Sequence, residues 1–432
     1  MKSAKVLQLA MASALGFSLV LTGCSSTTTK EASSTSDSKK VTLEFWNGFT
    51  GPDGNDMKKI VDGFNKQYEG KIEIKTQTMK WDQFYDKIRT VVNSGTAPDV
   101  AAMHLDQVPR MASKGVLTPL DDLLKDSDLK KEDFIPQVWD AGIYESKRYS
   151  VPLDVHPIAL YYNVDLLKKE GFDKPPATMA DFVKIAKATT KDTDGDGKID
   201  QWGFGMPTLW PANLMYYSTL RQFGGESVSK DGMTALYNDD KGVKALQTLS
   251  DLIYKDKISP EKIQADGEVT LFKQGKMAMT INGIWMINGF KEQQGLNFAA
   301  AAIPQFGDMP ATWANSHNFV IPKQKKDDPE KTKAAITFIN YVTSNSIEWA
   351  KGGQIPAKNS VRDSAEFKAL KEQSAIAEQV PYLVFPPASP TYVDVWAPAE
   401  TAINKALLGQ MTPQAALDEA KDKGEKAAKA AK

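Results

Sequence analysis

The chain predicts an α/β fold with a mostly parallel sheet, divided over more than one domain. Three observations carry that expectation. Residues 41–103 switch repeatedly between a period of two and a helical period in their apolar residues. About 390 residues follow a polar N-terminal tract, more than one core accommodates. Hydrophobic residues at 41% and charged residues at 25% are ordinary for a globular protein, so the chain needs no membrane or disordered reading as a whole.

Taken in order, residues 41–46 (VTLEFW) alternate like a strand, and Met57, Ile60, Val61 and Phe64 then share one helical face. Residues 71–79 alternate again through Ile72 and Ile74. Trp81, Phe84, Ile88 and Val92 mark a second helix, which Gly95 ends. A third strand covers 99–103. In such sheets ligands bind in the loops at the carboxyl ends of the strands, here 47–54 and 104–108. Beyond Pro152 the pattern is less regular. An apolar stretch spans 158–162, and Thr178 with Asp181 forms a capping box for a helix from Met179. Helices are predicted near 243–254 and 269–274, a strand at 276–281 with an Asn282-Gly283 turn, and another strand at 298–303. Pro304 and Gly307 close that unit. Residues 319–322 and a helix over 329–344 open a new one. The last 35 residues are helical, with Thr412 and Pro413 at N-cap and N1, and the Lys-rich end from Lys421 is expected to fray.

The N-terminus has a different character. Lys2 and Lys5 precede an uncharged, mostly apolar run to Gly23, the layout of an export signal. Leu21-Thr22-Gly23-Cys24 resembles the lipobox of bacterial lipoproteins, which makes Cys24 the expected lipid attachment point. Residues 24–40 are too polar to pack and are expected to act as a flexible tether. Two acyl chains hold a protein at a membrane where one is marginal. Cys24 is the only cysteine of the chain, so disulfide, redox-centre and cysteine-zinc classes are excluded.

Lys plus Arg (53) balances Asp plus Glu (54), which leaves no basic field for nucleic acid. The three histidines, His104, His156 and His317, are too far apart in sequence for a metal motif. No nucleophile elbow, P-loop or dinucleotide fingerprint is present, so an enzyme is not expected. All three histidines do follow predicted strands, where polar ligand contacts arise. Trp46, Trp210, Trp285, Trp313 and Trp396 fall in predicted loops, whereas Trp81 and Trp349 fit helix faces and read as core. With Asp106, Asp154 and His156 nearby, the loop tryptophans suggest platforms for sugar rings, whose faces are apolar and whose rims need hydrogen bonds. Residues 192–200 (DTDGDGKID) match the first nine positions of a calcium loop: Asp192, Asp194, Asp196 and Asp200, with the carbonyl of Lys198. Gly203 stands where an EF-hand has its bidentate Glu. A structural Ca²⁺ is expected there.

These residues carry a family resemblance over nearly the whole mature chain. The stretches 45–54 (FWNGFTGPDG), 95–100 (GTAPDV), 115–120 (GVLTPL), 160–163 (LYYN) and 276–285 (KMAMTINGIW) resemble the family-1 carbohydrate-binding extracellular solute-binding proteins of ABC importers, similar to maltodextrin-binding proteins. The resemblance implies two α/β lobes joined by hinge crossings, with the ligand in the cleft between them. It puts lobe one at 41–155 plus 305–360 and lobe two at 156–304 plus 361–432. It implies ligand contacts at Phe49, Thr50, Asp106 and His156, and sugar stacking at Trp285 and Trp396. Met103 stands where maltodextrin binders carry a further tryptophan, and His156 replaces an acidic contact, which argues against maltose itself. The implied protein is a monomer at the outer face of the bacterial cytoplasmic membrane that passes sugar to permease subunits. Two rivals stay open: a surface glycoside hydrolase, with Asp106 and Asp154 as its only testable carboxylate pair, and a calcium-stabilised adhesin or co-receptor.

Overall fold

The computed structural model describes residues 40–51 and 53–431; the export signal, Cys24 and the tether up to residue 39 lie outside the described residues. Among the described residues no helix is long and apolar enough to cross a membrane. The strands, in chain order, are β1 (Val41–Asn47), β2 (Ile72–Thr78), β3 (Val100–His104), β4 (Ile143–Tyr144), β5 (Lys147–Arg148), β6 (Val151–Pro152) and β7 (Asp154–Asn163). They continue with β8 (Trp202–Phe204), β9 (Met277–Gly283), β10 (Phe298–Ala301), β11 (Thr312–Asn315), β12 (His317–Val320), β13 (Ile355–Pro356) and β14 (Leu383–Val384).

The first lobe is built on a sheet of order β2-β1-β3-β12-β6. Its first three strands are parallel, as the βαβ alternation requires, and the helices Asp53–Gln67 and Trp81–Ser94 connect them. The first helix buries Met57, Ile60, Val61 and Phe64, and the second buries Phe84 and Ile88. Gly95 ends the second at φ 80°, where its N–H reaches the carbonyls of Val91 and Val92. Phe45, Phe64 and Phe338 pack edge to face at 5.2 Å, which joins β1, the first helix and the helix Pro329–Ser344 into one core.

The second lobe is a mixed sheet centred on β7, in the order β14-β11-β7-β9-β8, with β10 and β13 also pairing β7. This departs from the mostly parallel expectation: β7 runs antiparallel to β9, β10, β11 and β13. Only β8 with β9 and β11 with β14 pair in parallel in this sheet among the described residues. Residues 282–283, expected as a turn, instead continue β9, and a short 3₁₀ turn follows at Ile284–Met286. Thr178 caps its helix as predicted, accepting from the Asp181 N–H at 3.2 Å.

The expected fraying end is a packed helix, Pro413–Ala431, with Ala416, Leu417, Ala420, Gly424 and Ala428 buried. A Cβ at Gly424 would lie 2.5 Å from the Val395 carbonyl oxygen, so only glycine lets this helix approach the helix Tyr392–Leu407 so closely.

The chain passes between the two sheets at Leu153, between β6 and β7, at Ser316, between β11 and β12, and again between β12 and β13, which pairs β7. The sequence placed the second passage earlier, at 305; β11 is still part of the second sheet. The first two of these crossings lie side by side, since Leu153 N–H donates to the His317 carbonyl at 2.8 Å.

Candidate functional site

At the crossings sits a buried carboxylate. Asp154 is wholly buried and accepts four hydrogen bonds. His156 Nδ1–H donates to Oδ1 at 3.1 Å and His317 Nδ1–H to Oδ2 at 2.7 Å. The His317 backbone N–H adds 2.8 Å and the Trp349 indole N–H 2.6 Å. Burial alone would push the Asp154 carboxyl up; the neighbouring His317 and His156 and their hydrogen bonds outweigh it and hold it well below the usual carboxylate range. With four donors on its two oxygens it cannot serve as a hydrolytic acid or base.

Strand geometry explains the gathering. Asp154 and His156 lie two apart on β7 and so face the same side. His317 and His104 are direct partners in the antiparallel pairing of β12 with β3. The three imidazoles therefore converge: His156 and His317 have ring centroids 4.3 Å apart, His104 and His317 5.1 Å. One ring nitrogen of each lies within 4.8 Å of the others. His104 is tied to Tyr85, whose hydroxyl lies 2.7 Å from its Nδ1 and accepts from its backbone N–H at 3.1 Å. Burial, then the closeness of His317, pushes His156 down to about 4, against the pull of Asp154. Burial and the two neighbouring imidazoles push His104 well below its ordinary value. Both rings are neutral at pH 7.

Aromatic rings enclose the cluster. Trp81 lies 4.3 Å from His104 and stacks on His317 at 5.8 Å. Phe49 wedges between His317 (5.0 Å) and Trp349 (4.8 Å). On the far side Trp285 and Trp313 lie 6.0 and 6.3 Å from His156. Trp210 stacks on Trp285 at 5.6 Å and 30°, and is 48% exposed. Asp106, half-buried, accepts from Asn315 Nδ2 at 3.1 Å, and burial raises its carboxyl. Asn315 is the register partner of His156, so this bond also ties the two lobes. A second tie is the ion pair of Arg110 with Asp394 at 3.1 Å.

The structure thus brings together Phe49, His104, Asp106, Asp154, His156, Trp210, Trp285, Trp313 and His317. Thr50 is exposed on the adjoining loop. Two tryptophans are corrections. Trp46 belongs to β1, not a loop; it is 7% exposed, packs with Phe84, Ile88 and Met103, and is covered by Lys87 Nζ at 4.3 Å from the ring centroid. Trp396 is 6% exposed, enclosed by Tyr216, Tyr217, Tyr237 and Tyr392. Both lie on faces that the sheet or helix turns into the core, so neither offers an open ring. Tyr85 was missed, since a tyrosine on a helical face carries no sequence signal of a histidine partner. Trp81 and Trp349, read as core, are also neighbours of the cluster. A cavity of about 1000 Å³ beside Tyr68, Asp99 and Lys331 holds none of the predicted residues.

The acidic loop is separate. Asp192, Asp194 and Asp196 each place a carboxylate oxygen within 4.8 Å of the others. Asp192 accepts from Gly195 N–H at 2.6 Å and Gly197 N–H at 2.8 Å, and these glycines adopt φ of 80° and 88°. Asp194 accepts from Asp196 N–H and Asp196 from Lys198 N–H. Asp200 turns both oxygens to Thr193 instead, at 2.9 and 2.6 Å.

Residues 50–348 match the family model of the bacterial extracellular solute-binding proteins. The chain is 26% identical over 434 residues to a maltooligosaccharide ABC transporter solute-binding lipoprotein of Streptococcus pneumoniae serotype 4, covering 97% of this chain and 96% of that protein. It is 25% identical over 410 residues to the galactooligosaccharide-binding protein of Bacillus subtilis, covering 90% of each. Among solved structures, an ABC transporter solute-binding protein from Thermotoga lettingae bound with alpha-D-tagatose superposes with a TM-score of 0.74 at 26% identity, over 90% of this chain and all of that one.

Proposed function

The chain belongs to the family of bacterial extracellular solute-binding proteins, and from that premise we propose that it captures a neutral oligosaccharide between its lobes and delivers it to an ABC permease. The observation that carries this reading is the Trp210–Trp285 stack, one ring half exposed, beside a floor of imidazoles. Indole faces match the C–H faces of a sugar, and imidazole, Asp106 and Asn315 meet its hydroxyls. The relatives named for maltooligosaccharide and galactooligosaccharide support the ligand class. Contacts to both lobes would favour closure by their differential affinity. We keep Phe49, Thr50, His104, Asp106, His156, Trp210, Trp285, Trp313 and His317 as the ligand site, with Asp154 beneath it holding two of the imidazoles. The engaged state of Asp154 disfavours a hydrolase.

Calorimetry against neutral oligosaccharides tests the reading. We expect a dissociation constant on the order of micromolar, about −8 kcal/mol, and severe weakening in Trp285→Ala. Affinity within twofold of the parent in that variant would remove Trp285 from the site, and no binding to any oligosaccharide would sink the sugar assignment.

The family works outside the cytoplasm, and we propose that Cys24 supplies the membrane anchor. Tagged fatty acid should label the chain and fail to label Cys24→Ala; label retained by that variant refutes the anchor. We further propose that Asp192, Asp194 and Asp196 hold a structural Ca²⁺, with the Lys198 carbonyl completing the set and Asp200 swinging from Thr193 to join it.

A further inference from the structure

We propose that His104, His156 and His317 form a binding site for a divalent transition-metal ion of the zinc class, held through their Nε2 atoms. The site uses three imidazoles that the sugar reading also places in the cleft, but its test needs no sugar, and it is separate from the acidic loop.

The hydrogen bonds determine which atoms are free. A carboxylate only accepts, so the Nδ1 of His156 and of His317 must each carry the proton given to Asp154. In the neutral rings Nε2 then holds a lone pair. His104 Nδ1 is likewise occupied, by the Tyr85 hydroxyl at 2.7 Å. All three Nδ1 atoms thus have outer partners, which leaves Nε2 as the free ring nitrogen of each histidine. Metal-bound histidines are oriented in this way, each giving its other N–H to a carboxylate or oxygen acceptor. For His104 the metal would select the tautomer in which Nδ1–H donates to Tyr85.

Spacing and charge agree. One ring nitrogen of each histidine lies within 4.8 Å of the others. A tetrahedral ion with bonds of about 2.0–2.1 Å needs nitrogens roughly 3.4 Å apart, so modest ring rotations close the set. Asp154 is a wholly buried anion whose ion-pair partners are His156 and His317 alone, with no Lys or Arg among the described residues. Buried charges are usually paired or serve a metal, and a dication beyond the imidazoles supplies what Asp154 lacks. Nitrogen donors favour zinc, copper or nickel over calcium and magnesium. Three protein ligands leave a fourth position for water or a ligand oxygen.

The test uses the chain without a polyhistidine tag, stripped with chelator and titrated with Co²⁺ as an optical probe, then with Zn²⁺. One equivalent of Co²⁺ should give the intense visible bands of a tetrahedral nitrogen-ligated ion, and Zn²⁺ should bleach them. His104→Gln and His317→Gln should lose the bands. Tyr85→Phe, which keeps every ligand and removes the hydroxyl that partners the His104 ring and backbone N–H, should weaken binding roughly 10- to 100-fold while the metal-free variant still unfolds in one cooperative transition. Replacing Asp192, Asp194 and Asp196 with Asn should leave the bands intact. Absence of saturable Co²⁺ binding by the parent, or bands that survive both histidine variants, would overturn the proposal; so would their loss in the triple Asn variant.

Discussion

Two regions of this molecule gather potential metal ligands, and they do so in opposite ways. The loop 192–200 assembles its carboxylates within nine consecutive residues, on an exposed turn held by its own backbone N–H groups. The histidine cluster draws on β3, β7 and β12, from both sheets, and buries its groups against Asp154 and a wall of aromatic rings. A local site is as good as its turn, and its ligands remain solvated without an ion. A site built from distant strands is paid for by the whole fold, and its groups are desolvated whether or not a ligand is present. Titration and ligand binding should therefore touch the two regions very differently.

The largest expected effect is on the buried cluster. His156 sits at about 4 in the folded chain against an ordinary value near 6.5. The folded state therefore resists a proton that the unfolded state accepts, and the stability due to His156 is full above about pH 6.5 and falls away toward about pH 4. His104, also lowered, acts in the same direction. Glu268, buried and pushed up to about 7, acts in the opposite direction over the same window, so the parent's own pH profile conceals the effect. The contrast between variants exposes it. Relative to the parent, metal-free His156→Gln should gain about 3 kcal/mol between about pH 7.5 and pH 4, measured by urea unfolding. A constant difference between the two proteins would mean that His156 titrates alike in the folded and the unfolded chain.

The smaller effect belongs to the loop. If its affinity is that of extracellular calcium modules, roughly 10⁻⁴ to 10⁻³ M, then about 10 mM Ca²⁺ stabilises by roughly 1.4–2.7 kcal/mol. The gain should appear as a raised melting temperature, vanish in Asp192→Asn, and persist in His156→Gln. A melting curve that is the same in chelator and in calcium returns the loop to a plain acidic turn. If the calcium response instead disappeared with His156, the two regions would not be separate sites.

Much of this was legible in the sequence, and what was legible was local. The βαβ alternation from Val41 to His104, the Thr178 cap and the acidic loop all depend on residues a few positions apart, which periodicity and turn chemistry determine. The short motifs were sufficient to suggest the family. The sequence put all three histidines just after strands and among the ligand contacts, but too far apart for a metal motif; the structure places them on β3, β7 and β12 themselves. Their meeting depends on register: His317 opposite His104, and Asp154 reaching His317 across 163 residues. Slipping β12 by one residue would turn His317 to the other face. The same limit explains Trp396, which reads as an available platform until four tyrosines from three segments close around it. Hydrophobic period and turn residues select elements at short range, whereas which side chains share a site is decided by strand pairing and burial between segments far apart in the chain.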